Sequence, residues 1–194
     1  MERAALEAEI SAFREGGDLR GALEVALAGY GREISRFLLV RVGDPVLAAD
    51  AYSQLTEDLW IGLPTFEGRS SFRTWMYVVA RNAATRLQRS QRSESKRSAD
   101  LSEVADLAER ARSETLTFLR TESKERLAKL RKELEPLDEQ LLMLRVTRGL
   151  EWNEVVAILE GSVELDSEHQ RRLAARYRQR FRALKNRLKA ELSG

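Results

Sequence analysis

Apolar residues along the chain recur at the three-and-four spacing of amphipathic helices, and no run shows the strict alternation of a half-buried strand. A short amphipathic helix precedes Gly16-Gly17, and helices over 19–28 and 32–42 follow. The second of these sets Ile34, Phe37, Leu38 and Val42 on one face. Gly43-Asp44-Pro45 then supplies a break, with Asp44 as N-cap and Pro45 in the first helical position. The next helix runs to about Gly62 and is expected to bury Leu47, Tyr52, Leu55, Leu59 and Trp60. LPTFEGRS reads as a loop, and Ser70 or Ser71 can cap a helix that continues to about Ser90. Beyond the polar, serine-rich QRSESKRSAD, helices are predicted over 114–135, 137–148 and 151–159, the last two stopped by Gly149 and Gly161. A long final helix starts near Asp166-Ser167, with Gln170 placed to complete a capping box, and ends around Glu191.

The expected fold is therefore all-α: two small helical domains joined by a flexible linker. The divisions are an N-terminal extension over 1–18, a first domain over 19–92, a linker over 93–113 and a second domain over 114–194. Composition agrees, since 194 residues suit one medium or two small domains, and 43% hydrophobic with 33% charged residues describe a foldable chain. With no cysteine and a single histidine, His169, neither disulfides, thiolate-bound zinc nor a histidine metal cluster is available. No Gly-rich phosphate loop accompanies acids such as Glu151 and Glu154, so neither an enzyme nor a cofactor is expected. The acidic opening MERAALEAEI predicts neither signal peptide nor membrane helix, and a cytoplasmic location is expected.

Net charge is only +2, but its distribution is uneven. Residues 1–60 lean acidic, whereas 69–97 and 171–189 lean strongly basic, which suggests two surfaces for a polyanion. RRLAARYRQRFRALKNRLK contains no acid. Its Leu173, Tyr177, Phe181, Leu184 and Leu188 form an inward stripe, leaving the arginines on the outer arc. A short helix and a turn precede it, the order of a helix-turn-helix. The segment FEGRSSFRTWMYVVARNAATRLQRSQR mixes rings with cations. Such a mixture suits stacking on single-stranded bases, and equally suits Phe72 and Trp75 as ordinary core.

LPTFEGRSSFRTWMYVVARNAATRLQR, with SRFLLVRVGDPVLAADAYSQLTEDLWIGL upstream, resembles the promoter-melting domain of bacterial RNA polymerase sigma factors. LEPLDEQLLMLRVTRGLEWNEVVAIL resembles their fourth conserved region, the helix-turn-helix that reads the upstream promoter element. Two such domains in this order are similar to the extracytoplasmic-function group of the sigma-70 family. The resemblance implies binding to core RNA polymerase, at the clamp helices of its largest subunit and at its flap, and binding to double-stranded and melted promoter DNA. Asp50, Gln54, Glu57, Asp58 and Trp60 would form the clamp-facing surface. Phe66, Arg69, Ser70, Ser71, Phe72 and Arg73 would capture the minus-ten element, with Arg81, Asn82 and Arg86 following the strand. Arg171, Arg172, Arg176, Arg178, Gln179, Arg180, Arg182 and Lys185 would meet the minus-thirty-five element. Kinship also implies an anti-sigma protein, and no membrane insertion.

The chain departs from the family pattern in two places. In Ala49-Asp50-Ala51-Tyr52-Ser53-Gln54 one acid and the usual glutamine position have changed, and the recognition-helix region is about two turns longer than expected, through a longer loop or an extended helix start. Two other readings remain open on the residues: a helix-turn-helix regulator acting without polymerase, and a helical protein that sequesters an acidic partner.

Overall fold

Hydrophobic stripes on successive helices meet in one buried cluster in the computed structural model, which describes residues 3–97 and 134–193. Helix α1 spans Arg3–Glu15 and α2 spans Leu19–Val42. Helix α3 covers Pro45–Gly62, a single 3-10 turn Leu63–Thr65, and α4 Phe72–Arg97. In the second described segment come α5 at Pro136–Leu142, a π-helical turn at Met143–Thr147, α6 at Trp152–Glu160 and α7 at Ser167–Ser193. No strand occurs among the described residues, so the all-α fold is observed. The helix expected over 114–135 lies outside them, apart from its last two positions.

Local signals set most boundaries. The Asp44 carboxylate accepts the Leu47 N–H at 2.7 Å ahead of Pro45, satisfying one donor of the first turn. Glu151 and Glu154 form a reciprocal capping box on α6. At the start of α7, the Asp166 carboxylate takes the His169 N–H at 2.9 Å, the bond that the sequence pattern assigned to a box with Gln170.

Three expectations are corrected. The helices placed at 19–28 and 32–42 are one continuous α2 of 24 residues. Its glycines mark close approaches and not a break: a Cβ on Gly29 would strike Leu6, and one on Gly31 would lie 2.5 Å from the Tyr52 hydroxyl. Helix α4 continues past Ser90 to Arg97. Trp60, expected to be buried, is 54% exposed, because Leu55 and Leu59 already fill the inner face of α3.

In the first half α2, α3 and α4 pack around fully buried Phe37, Leu38, Leu55, Leu59, Met76 and Tyr77, with Phe37 and Tyr77 edge-to-face at 5.1 Å. Burying one such side chain contributes roughly 1.5–3 kcal/mol. Helix α1 adds Leu6 and Ile10 to this core. The second half does not stand apart: α6 lies along α4 and α5 along α2, so that Leu141, Leu144, Leu150, Val155, Val156 and Ile158 extend the same cluster. No described helix is long and apolar enough to cross a membrane.

Candidate nucleic-acid interface

The loop between α3 and α4, with the first turn of α4, carries three rings. Phe66 lies 5.3 Å from Phe72 and 4.8 Å from Trp75, and Phe72 lies 5.1 Å from Trp75. Phe72 is buried, whereas Phe66 and Trp75 are half-buried at the margin. This divides the aromatic positions into one core ring and two marginal ones. The Arg14 guanidinium sits 4.6 Å from the Phe66 ring centre and donates to the Phe66 carbonyl at 2.5 Å, so α1 covers one side of the loop.

Two caps begin α4. The Ser71 hydroxyl accepts the Thr74 N–H at 3.1 Å, as the sequence indicated, while Ser70 bonds to the Ser71 carbonyl. The second cap comes from α1: Glu7 accepts the Phe72 N–H at 2.8 Å and the Arg73 N–H at 3.0 Å, placing a carboxylate at the positive end of the helix. Glu7 also accepts the Tyr30 hydroxyl at 2.7 Å. Burial, with that hydrogen bond, pushes the Tyr30 phenol well above its ordinary range.

Arg73 is only 5% exposed. Its Nε and Nη2 meet the two Glu33 oxygens at 2.5 and 2.9 Å, and it donates weakly to the Arg148 carbonyl at 3.3 Å. Burial alone would lower the Arg73 guanidinium, but the Glu33 hydrogen bonds outweigh it and the net displacement is upward. The Arg148 guanidinium stands 3.5 Å from the same carboxylate.

Arg69 bridges Glu67 and Glu164 on the exposed surface. Asn82 donates to the Gly161 carbonyl at 2.9 Å, and Arg81 lies against the same glycine. Arg86 pairs with Asp58, tying a candidate strand contact to the candidate polymerase face. Arg41 donates to Gln140 at 3.2 Å and to the Thr85 hydroxyl at 3.0 Å. Burial, then the Arg81 charge, lowers the Arg41 guanidinium to about 10.

On α3, Asp50 and Glu57 are exposed and Gln54 bonds to Glu57 and Asp58, at 3.3 and 3.2 Å. Beside them Trp60 is exposed, as are Val46 at 71% and Ile61 at 73%. Exposed apolar groups at both ends of α3, with acids between them, have the composition of a docking surface.

The last helix realises the expected stripe. Ala174, Tyr177 and Leu184 are buried, Leu173, Phe181 and Leu188 are half-buried, and Tyr177 donates to Glu160 on α6 at 2.6 Å. Arg171, Arg172, Arg176, Arg178, Gln179, Arg182 and Lys185 are exposed. Arg180 differs, bonding Asp138 at 2.5 Å and Glu135 at 2.6 Å across to α5; those two hydrogen bonds raise its guanidinium above the ordinary value. The added length of this region falls both in the 161–166 connector and in a helix of 27 residues. Trp152 packs on Phe181 at 5.6 Å and lies under Arg145 at 4.8 Å, joining α6 to α7.

Several residues that organise the interface were not visible in the sequence: Arg3, Glu7, Arg14, Glu33, Arg148 and Glu164 act across long separations. Only Glu154 had a local signal, the E-W-N-E capping box. Among the described residues no group of side chains could hold a metal ion.

Residues 27–94 match the family model of Sigma-70 region 2, which spans most of α2, all of α3 and nearly all of α4. A search of curated proteins finds no match to the chain. The matched residues include the acidic-apolar face of α3, the ring-bearing loop and the basic start of α4, and over this segment the chain is similar to Sigma-70 region 2.

Proposed function

We propose that the protein is a sigma factor of the extracytoplasmic-function group, directing core RNA polymerase to promoters and helping to melt them. The observation that carries this reading is the region 2 match over the segment that holds both an uncovered acidic-apolar helix face and a ring-and-arginine loop. In this reading α3 docks on the clamp helices of the largest polymerase subunit, with Trp60 as its aromatic anchor and Asp50, Gln54, Glu57 and Asp58 around it.

The loop from Phe66 to Arg73 then receives an unstacked base of the minus-ten element. Unstacking costs a few kcal/mol, which ring contacts at Phe66 and the α4 start offset without any covalent chemistry. Arg81, Asn82 and Arg86 follow the strand. The basic arc of α7 enters the major groove of the upstream element as the second helix of a helix-turn-helix, contacting the minus-thirty-five region and the flap-bound polymerase. Its exposed guanidinium groups suit both guanine edges and phosphates. An anti-sigma protein is the expected negative partner, and the site of action is the cytoplasm. The protein itself carries out no catalysis.

The test is co-migration of the purified chain with core polymerase. Replacing Trp60 by Ala removes an exposed aromatic anchor from the last turn of α3 and should weaken that association by about 2 kcal/mol, roughly thirtyfold. A helix-turn-helix regulator acting alone would show no association in either form.

A further inference from the structure

The rotation of α7 about its own axis is fixed by its inner stripe and by α6. Ala174, Tyr177 and Leu184 are buried, Tyr177 donates to Glu160 at 2.6 Å, and Phe181 packs on Trp152 at 5.6 Å. Each outer position therefore faces a definite direction. In the first half of the helix the positions farthest from the inner stripe are Glu168, Arg172, Ala175 and Gln179, which follow one another at spacings of four and three. All four are exposed. Their rise of about 16 Å spans roughly five base-pair steps.

This outermost stripe differs in kind from its flanks. On one flank Arg171, Arg178 and Lys185 recur every seven residues, and Arg178 lies 5.9 Å from the Trp152 ring centre at the start of α6. The first helix of a helix-turn-helix crosses the phosphate backbone, so cations on the α6 side meet phosphates. On the other flank Arg180 is held by Asp138 and Glu135, and Arg187 by Glu191 at 3.6 Å. Between them the stripe carries an acid, an arginine, a methyl group and an amide. That set is poor for gripping phosphate, since a carboxylate repels the backbone and neither Ala175 nor Gln179 brings a charge. It matches the chemistry of base edges: glutamate accepts from the cytosine amine, arginine forks onto guanine, alanine packs on the thymine methyl and glutamine pairs with adenine. Glu168 and Arg172 engage one another only loosely, at 3.8 Å with side chains 77% and 70% exposed, so both remain open to a partner.

We propose that Glu168, Arg172, Ala175 and Gln179 read cytosine, guanine, thymine and adenine at four base pairs of the upstream element, while Arg171 and Arg178 grip the phosphates beside them. This rests on the placement of α7 in the major groove above, and it brings in Glu168 and Ala175. The flanking cations supply affinity and register, and the mixed stripe supplies the choice of sequence. A competing use for Glu168 is as a first-turn acid at the positive end of α7, with no part in base recognition.

The test selects duplexes carrying a randomised upstream element and a pre-melted minus-ten segment with the complex of the full chain and core polymerase, and counts the bound sequences. Gln179→Ala should lower discrimination about tenfold at one position, and Glu168→Gln about tenfold at another, with the slope of log affinity against log salt unchanged. Arg171→Ala and Arg178→Ala should weaken all sequences alike, keep every preference and each reduce that slope by about 1. A preference lost with Arg178→Ala and kept in both Gln179→Ala and Glu168→Gln overturns the proposal. Glu168→Gln that lowers the melting temperature and leaves every preference intact overturns the role of that acid in reading bases. If the chain does not join core polymerase, the same selection is run with the chain alone. A preference lost there with Gln179→Ala keeps the α7 assignment while the sigma assignment falls, and a chain that selects no sequence overturns both.

Discussion

Replacing Glu33 by Ala would leave the Arg73 guanidinium buried with only the distant Arg148 carbonyl, at 3.3 and 3.4 Å, as a partner. In the wild type both Glu33 oxygens are engaged, and the two side chains are 7% and 13% exposed. A pair this deeply desolvated differs from a surface ion pair, whose contribution is about 0–1 kcal/mol. Removing one member of a buried pair typically costs about 3–5 kcal/mol, because the remaining charge has lost its compensation. For a chain of this length 3 kcal/mol lowers Tm by roughly 6–12 °C. Urea and thermal unfolding of the full chain, followed by circular dichroism, measure it. Replacing both residues, Glu33→Leu with Arg73→Met, should recover part of the loss, since an apolar pair removes both desolvation costs while Arg148, 3.5 Å from the same carboxylate, still loses its partner. A Glu33→Ala effect under about 1 kcal/mol, or a double variant no better than the single one, would refute the reasoning.

Phe66→Ala should impair opening of a duplex promoter by about 1–3 kcal/mol while leaving binding to a pre-melted template less affected, as permanganate reactivity and filter binding would show. Equal loss on both templates would point to packing alone. Arg178→Ala should reduce the slope of log affinity against log salt by about 1 on upstream-element DNA, whereas Arg180→Ala, already bound to Asp138 and Glu135, should leave the slope nearly unchanged and lower stability instead. Glu154 has a folded-state pKa depressed below its ordinary 4.5, so its stabilisation is present above that pH and is lost as pH falls through the folded value. Acid unfolding of Glu154→Gln should accordingly be less steep below about pH 4.5 than that of the wild type, and identical profiles would contradict the assignment.

Legibility in the sequence followed the range of each interaction. Asp44-Pro45, Gly149, Gly161 and the α7 stripe act within one or two turns, and periodicity or capping chemistry located them. The break expected near Gly29 and Gly31 failed because a glycine chosen for closeness to Leu6 and Tyr52 looks, in sequence, like one chosen for a turn. Arg73 shows the same limit. Arginine near a loop reads as solvent-facing, and its burial depends on Glu33, 40 positions upstream, which no local pattern connects to it. Glu7 caps α4 from 65 residues away, so the first helix looked accessory when it supplies half of the α4 start. The basic faces were readable as a class, but which cations stay open depended on Glu164, Asp58, Asp138 and Glu135 across other helices.

The central claim is tested most directly by reconstituted transcription: core RNA polymerase, the purified chain and a genomic promoter library, with transcripts mapped at their starts. Starts should appear only when the chain is present, share a two-part upstream sequence, and be lost with Trp60→Ala. Transcription identical with and without the chain, under conditions in which it is folded, would contradict it.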